Sequence, residues 1–117
     1  MPDLLTPAAE GLYAALGELV AGGDELPMHF DFQGDDPSVL LRDFLTELLI
    51  LFEHDKRRLV AVVDAAFTES RLSVTAKTAA VDLERSAFHR EVKAITYHEL
   101  NIHAIAGGYE ATFIVDI

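Results

Sequence analysis

A change of hydrophobic period around residue 56 constrains this chain more than any other feature. Upstream of it, Leu41, Phe44, Leu45, Leu48, Leu49 and Phe52 recur at helical spacing, which lays a wide apolar stripe along one side of a helix. Asp36 precedes Pro37, a capping side chain followed by a proline suited to a first helical turn. The helix is therefore expected from Pro37 to about His54. After Asp55-Lys56-Arg57 the period falls to two. Leu59, Ala61, Val63, Ala65 and Phe67 share one parity, and past Glu69-Ser70-Arg71 so do Leu72, Val74 and Ala76. That pattern predicts an antiparallel pair around a short turn.

The flanking segments extend the same two periods. Thr6-Pro7 predicts a cap and a first-turn proline, with Ala9, Leu12, Tyr13, Leu16, Leu19 and Val20 at helical spacing until Gly22-Gly23 stops the helix. Next, Met28, Phe30 and Phe32 alternate with His29, Asp31 and Gln33, a strand with one buried face. Residues 79 to 89 carry no clear period. Gly107-Gly108 separates two further extended runs. In the second, Tyr109, Ala111, Phe113, Val115 and Ile117 point one way and Glu110, Thr112, Ile114 and Asp116 the other. Two helices among mostly hairpin-connected strands predict an α+β fold, a two-layer sandwich with both main helices on one face of a largely antiparallel sheet.

Composition narrows the function classes. A chain of 117 residues, half of them hydrophobic, is one domain that needs no metal or disulfide staple to hold a core. It has no cysteine, which excludes disulfides, thiolate metal sites and cysteine nucleophiles and suits a reducing compartment. No apolar run approaches the roughly 20 residues of a membrane span, and no basic segment followed by an apolar one opens the chain. A cytoplasmic protein is expected. The net charge of −11 argues against direct nucleic-acid binding, which normally shows a basic face for phosphates. It suits cations or a basic protein partner, or serves solubility alone.

The run Tyr97 to His103, YHELNIH, resembles a zinc-protease signature, but His98 and His103 are five apart. His-Glu-x-x-His on a helix needs a spacing of four to put both imidazoles on one metal. Ile95 and Tyr97 hold one alternation while Leu100, Ile102 and Ala104 hold the opposite one, so the phase flips between them, as at a β-bulge or strand break. The segment is expected to be a strand leading to the Gly-Gly turn. Tyr97 is expected in the core, and His98 is the imidazole that such a break would re-aim.

The run VKAITYHEL, Val92 to Leu100, and the terminal IVDI, Ile114 to Ile117, resemble the archease family, which carries a Lys-Ala-(Val/Ile)-Thr-Tyr-His segment and closes on Asp-Ile. The helix LLRDFLTELLILFE and the hairpin after it stand where that family has theirs, so the resemblance covers nearly the whole chain. Archeases usually begin with a strand carrying His-Thr-Ala-Asp, whose Asp completes a divalent-metal site with the C-terminal Asp. This chain begins at the first helix, and Asp3 does not sit in that motif. One archease-like domain over residues 1–117, truncated at its N-terminus, is expected. Ala79-Ala80-Val81-Asp82 also stands where the family has a Gly-containing turn.

The resemblance implies an accessory protein, not itself an enzyme, that promotes guanylylation and multiple turnover of the RtcB-type RNA ligase of tRNA splicing and RNA repair. It implies a Ca²⁺ or Mg²⁺ site at Asp116 and the terminal carboxylate of Ile117, weakened by the missing ligand, since hard cations take oxygen donors. Lys93 and His98 are the expected contacts to that site or to the ligase. Two other readings stand beside it: a small metal-dependent hydrolase using Asp116, His98 and Asp31, and a structural or oligomerising domain. If a strand is missing, the open sheet edge is expected to recruit a second copy as a two-fold dimer.

Overall fold

The computed structural model describes all residues, Met1 to Ile117. A single 3-10 turn, Pro2–Leu4, runs into helix α1, Leu5–Leu16; strand β1, Gly17–Glu18, and the long strand β2, Ala21–Gln33, follow. Helix α2 spans Pro37–Asp55, and β3, Arg57–Phe67, and β4, Arg71–Val81, form the hairpin. Five short strands complete the chain: β5 Ala87–Phe88, β6 Ala94–Ile95, β7 Asn101–Ile105, β8 Gly108–Thr112 and β9 Val115–Asp116.

The expected α+β architecture is present. The main sheet is three-stranded and antiparallel, in the order β2-β4-β3, with both helices on its inner face. The remaining strands form three two-stranded ribbons, β1-β5, β6-β9 and β7-β8. α2 begins where its sequence says it should: Asp36 caps it, accepting a hydrogen bond from the Ser38 N–H at 2.9 Å, with Pro37 as first residue. Its stripe of Leu41, Phe44, Leu45, Leu48, Leu49 and Phe52 is buried against α1 and the sheet. Phe44 meets Phe30 of β2 edge to face, with ring centroids 5.6 Å apart. Burying each such side chain contributes about 1.5–3 kcal/mol, so this layer is the main source of stability.

α1 departs from expectation at both ends. Its N-cap is Leu4, whose side chain makes no capping bond, and Thr6 lies inside the helix. The helix stops at Leu16, and Gly17, not Gly22-Gly23, ends it with φ 152°. The reason is tertiary: Gly17 pairs with Phe88 of β5, and a Cβ there would lie 2.0 Å from the Ala87 carbonyl oxygen. Gly22 and Gly23 fall within β2, where the ladder to β4 slips between Gly22 and Leu26.

The hairpin holds, but the parity of β3 does not. Register shifts between Leu59 and Ala61 and between Val62 and Asp64 each insert an unpaired residue and turn the strand over. Leu59 and Phe67 are buried and Val62 and Ala65 pack on the core, while Val63 stands 59% exposed. β4 runs to Val81, so it claims the first part of the stretch without period, and the 82–86 turn returns the chain to β5.

Arginines close the base of this layer internally. Arg57 donates to the carbonyl and hydroxyl of buried Thr78 at 2.8 and 3.2 Å, and Arg58 donates to the Leu19 carbonyl at 2.7 Å while lying 4.4 Å from the centre of the Tyr13 ring. The Leu59 N–H donates to the Tyr13 hydroxyl at 2.7 Å, and burial raises the Tyr13 pKa above its ordinary value. No helix is long and apolar enough to cross a membrane.

Candidate partner interface at the carboxyl-terminal ribbon

The segment Val92 to Leu100 is fastened to the core by alternate residues. Val92 and Ile95 are fully buried, whereas Lys93, Tyr97 and His98 are exposed. Ala94 and Ile95 form β6 and pair with Asp116 and Val115 of β9. The Lys93 N–H donates to the Asp116 carbonyl at 2.6 Å, and the Thr96 N–H to the Ile114 carbonyl at 2.9 Å. Two stretches singled out in the sequence thus lie side by side, which puts the backbones of Lys93 and Asp116 in contact. Their side chains form no ion pair, and both are exposed.

The strand does break after Ile95. Leu100 N–H donates to the Tyr97 carbonyl at 3.3 Å, closing a turn in which Glu99 adopts φ 54°, and the His98 N–H donates to the Thr96 hydroxyl at 3.2 Å. The His98 ring makes no hydrogen bond within the chain; His103, on β7, lies 3.5 Å from Glu110 of β8. The two imidazoles share no metal cluster. The second half of the terminal run is also interrupted: β8 ends at Thr112 and β9 begins at Val115, with Phe113 packed on the core and Tyr109 and Ile117 exposed.

Tyr97 is not a core residue. It is 61% exposed, with one ring face against the Arg42 guanidinium at 4.0 Å. Arg42 comes from the first turns of α2 and also donates its Nε–H to the Ile95 carbonyl at 2.8 Å. Sequence reasoning missed Arg42, because a lone basic residue beside an apolar stripe has no local signature of such a role.

Asp116 and the terminal carboxylate of Ile117 bring oxygens within one residue, but no group of three or more His, Asp or Glu side chains gathers anywhere in the chain; Ca²⁺ ordinarily takes six to eight oxygens. The hydrolase constellation does not assemble either. Asp31 lies on β2 and accepts two hydrogen bonds from Arg71 at 2.7 and 3.1 Å, which hold its carboxyl below the ordinary 3.8. It forms no cluster with His98 and Asp116. A cleft of about 240 Å³ lies elsewhere, between Asp3 and Pro7 on one side and Tyr109 and Phe113 on the other.

Charge completes the description. Two ion pairs, Arg42–Asp43 and Arg71–Asp31, and the His103–Glu110 contact engage only three of the twenty acidic residues. Most of the carboxylates therefore face solvent unpaired, and their field extends over roughly a Debye length, about 8–10 Å in ordinary salt.

Sequence comparison matches the Archease protein family profile over residues 1–117. The chain belongs to the archease family. It is 28% identical over 123 residues to the protein archease of Methanopyrus kandleri, covering 98% of this chain and 84% of that one. It is 31% identical over 125 residues to that of Pyrococcus abyssi, covering 98% and 87%. The archease of Methanosarcina barkeri is 38% identical over 86 residues, a match that takes in 70% of this chain and 59% of that relative's length. In this archease the segment Val92 to Leu100 is a buried anchor, Val92 and Ile95, carrying an exposed array of Lys93, Tyr97 and His98.

Proposed function

We propose that this archease is a cytoplasmic protein cofactor of an RtcB-type RNA ligase, promoting the ligase's guanylylation and multiple turnover without catalysing RNA joining itself. Membership of the archease family over the whole chain carries this reading. Two physical features support it. The net charge of −11 favours encounter with a basic, RNA-handling enzyme, where complementary fields act mainly on the association rate. Lys93, His98 and Asp116 stand on an exposed surface, suited to a macromolecular partner, whereas a small-molecule ligand is usually held in a concave and largely apolar pocket.

In this reading Lys93 and His98 contact the ligase, and RNA is handled by the ligase. If Asp116 and the Ile117 carboxylate are a divalent ion's only charged ligands, its binding should be weak, because affinity at an oxygen site follows the number of charged ligands. Calorimetry with Ca²⁺ would then show a small heat that Asp116→Ala removes.

The test is RNA joining under multiple turnover. Substoichiometric archease added to a cognate RtcB-type ligase, GTP and metal should raise the ligated RNA formed per ligase. Equal yields with and without it would reject the reading.

A further inference from the structure

The three tyrosines of the chain have different environments: Tyr13 is buried, Tyr109 is 48% exposed and Tyr97 is 61% exposed. Tyr97 is nonetheless constrained from three directions. The Arg42 guanidinium covers one ring face at 4.0 Å, well inside the ~6 Å reach of a cation–π contact. Arg42 is itself pinned by its bond to the Ile95 carbonyl, 53 residues along the chain, and Ile95 is buried. The turn that follows is closed by Leu100 and includes Glu99 at φ 54°. A non-glycine residue is strained in that region, and such strain persists where the surroundings over-determine the backbone.

A large ring is thus presented to solvent by a helix, a strand and a turn at once. Burying an aromatic side chain removes some 150–250 Å² from water, and a pre-positioned ring gains the part of that still exposed on binding at little further entropic cost. Tyrosine is among the residues that dominate binding energy at interfaces. The charges around it indicate the partner. Asp43 lies 3.7 Å from the Arg42 guanidinium, Glu99 is exposed in the turn, and the chain carries −11.

We propose that Tyr97 is the anchor with which this archease engages its protein partner, that Arg42 is the positioning residue that holds the ring, and that the partner offers an apolar slot rimmed by cations. The proposal rests on the accessory reading above, with the ligase as that partner. The same ring could stack on a nucleobase, but a polyanion is repelled by the net charge.

The test measures binding of a cognate RtcB-type ligase to the wild-type chain and to Tyr97→Ala, Tyr97→Phe and Arg42→Ala, with circular dichroism to confirm folding. Tyr97→Ala should weaken binding at least ~30-fold, as at an interface hot spot, and Tyr97→Phe should remain within about threefold of wild type. Arg42→Ala should shift the Tyr97 ring resonances in the free protein and speed dissociation more than it slows association. Wild-type binding that Tyr97→Ala leaves unchanged overturns the anchor while sparing the accessory function. No binding by the wild type overturns both. Movement of the Tyr97 resonances on adding a decameric uridine RNA, with none on adding ligase, overturns the proposal in favour of a nucleic-acid contact.

Discussion

Gly17→Ala separates a steric demand from a conformational one. Gly17 has φ 152°, and a Cβ there would meet the Ala87 oxygen at 2.0 Å and two further backbone atoms, Ala87 C and Phe88 Cα, at 3.0 Å. Backbone cannot swing aside as a side-chain end can, so β1 and β5 must separate or the helix end must shift. The conformational strain is about 1–3 kcal/mol, and forcing an extra methyl into a packed contact adds about 1–3 kcal/mol. The control is Gly23→Ala, at φ 78° with nothing within 4 Å of the added atom, which incurs only the strain. Urea unfolding at 25 °C should therefore show Gly17→Ala losing about 2–6 kcal/mol and Gly23→Ala about 1–3 kcal/mol. Equal losses from the two variants would refute the reasoning, because the close approach to Ala87 would then contribute nothing.

Two bulges in β3 predict that Val63→Asp stays within about 0.5 kcal/mol of wild type in the same assay, whereas Val62→Asp loses at least ~1 kcal/mol, since Val62 packs on the core and Val63 is 59% exposed. For Asp31, Arg71's hydrogen bonds lower the folded pKa below 3.8, so the pair's contribution is present above that value and lost as pH falls through the folded pKa. The stability difference between wild type and Asp31→Asn should be flat above pH ~4 and vanish in more acid solution; a difference that changes across neutral pH would contradict this. Both edges of the main sheet, β2 and β3, are open, and Val60 and Val63 are exposed on β3. Pairing of two copies along β3 predicts a light-scattering mass that rises toward the dimer with concentration, and a constant monomer mass would exclude it.

The parts legible in the sequence were those fixed by near neighbours. Asp36-Pro37 caps α2 through a contact two residues long, and the stripe behind it needs only the helical repeat. The alternation of Met28, Phe30 and Phe32 survived because β2 keeps unbroken register with β4 from Leu26 onward. What failed depended on distant partners. Bulges add residues without any mark in composition, so the parity of β3 was lost at Val62. Gly17 looks no different from Gly22 or Gly23 until β5 lies against it. At the candidate site, both segments were recognisable in the sequence, but that they pair, with the Lys93 N–H on the Asp116 carbonyl, and that Tyr97 stays exposed against Arg42, only the fold reveals.

The central claim, an accessory protein acting on its ligase, is tested most directly by the guanylylation step itself. A cognate RtcB-type ligase is mixed with labelled GTP and metal, with or without this archease, and covalent ligase–GMP is followed in a single turnover. The account predicts faster formation of the adduct with archease present, no label on the archease, and no adduct from archease alone. An unchanged rate of ligase labelling, or label carried by the archease, would contradict it.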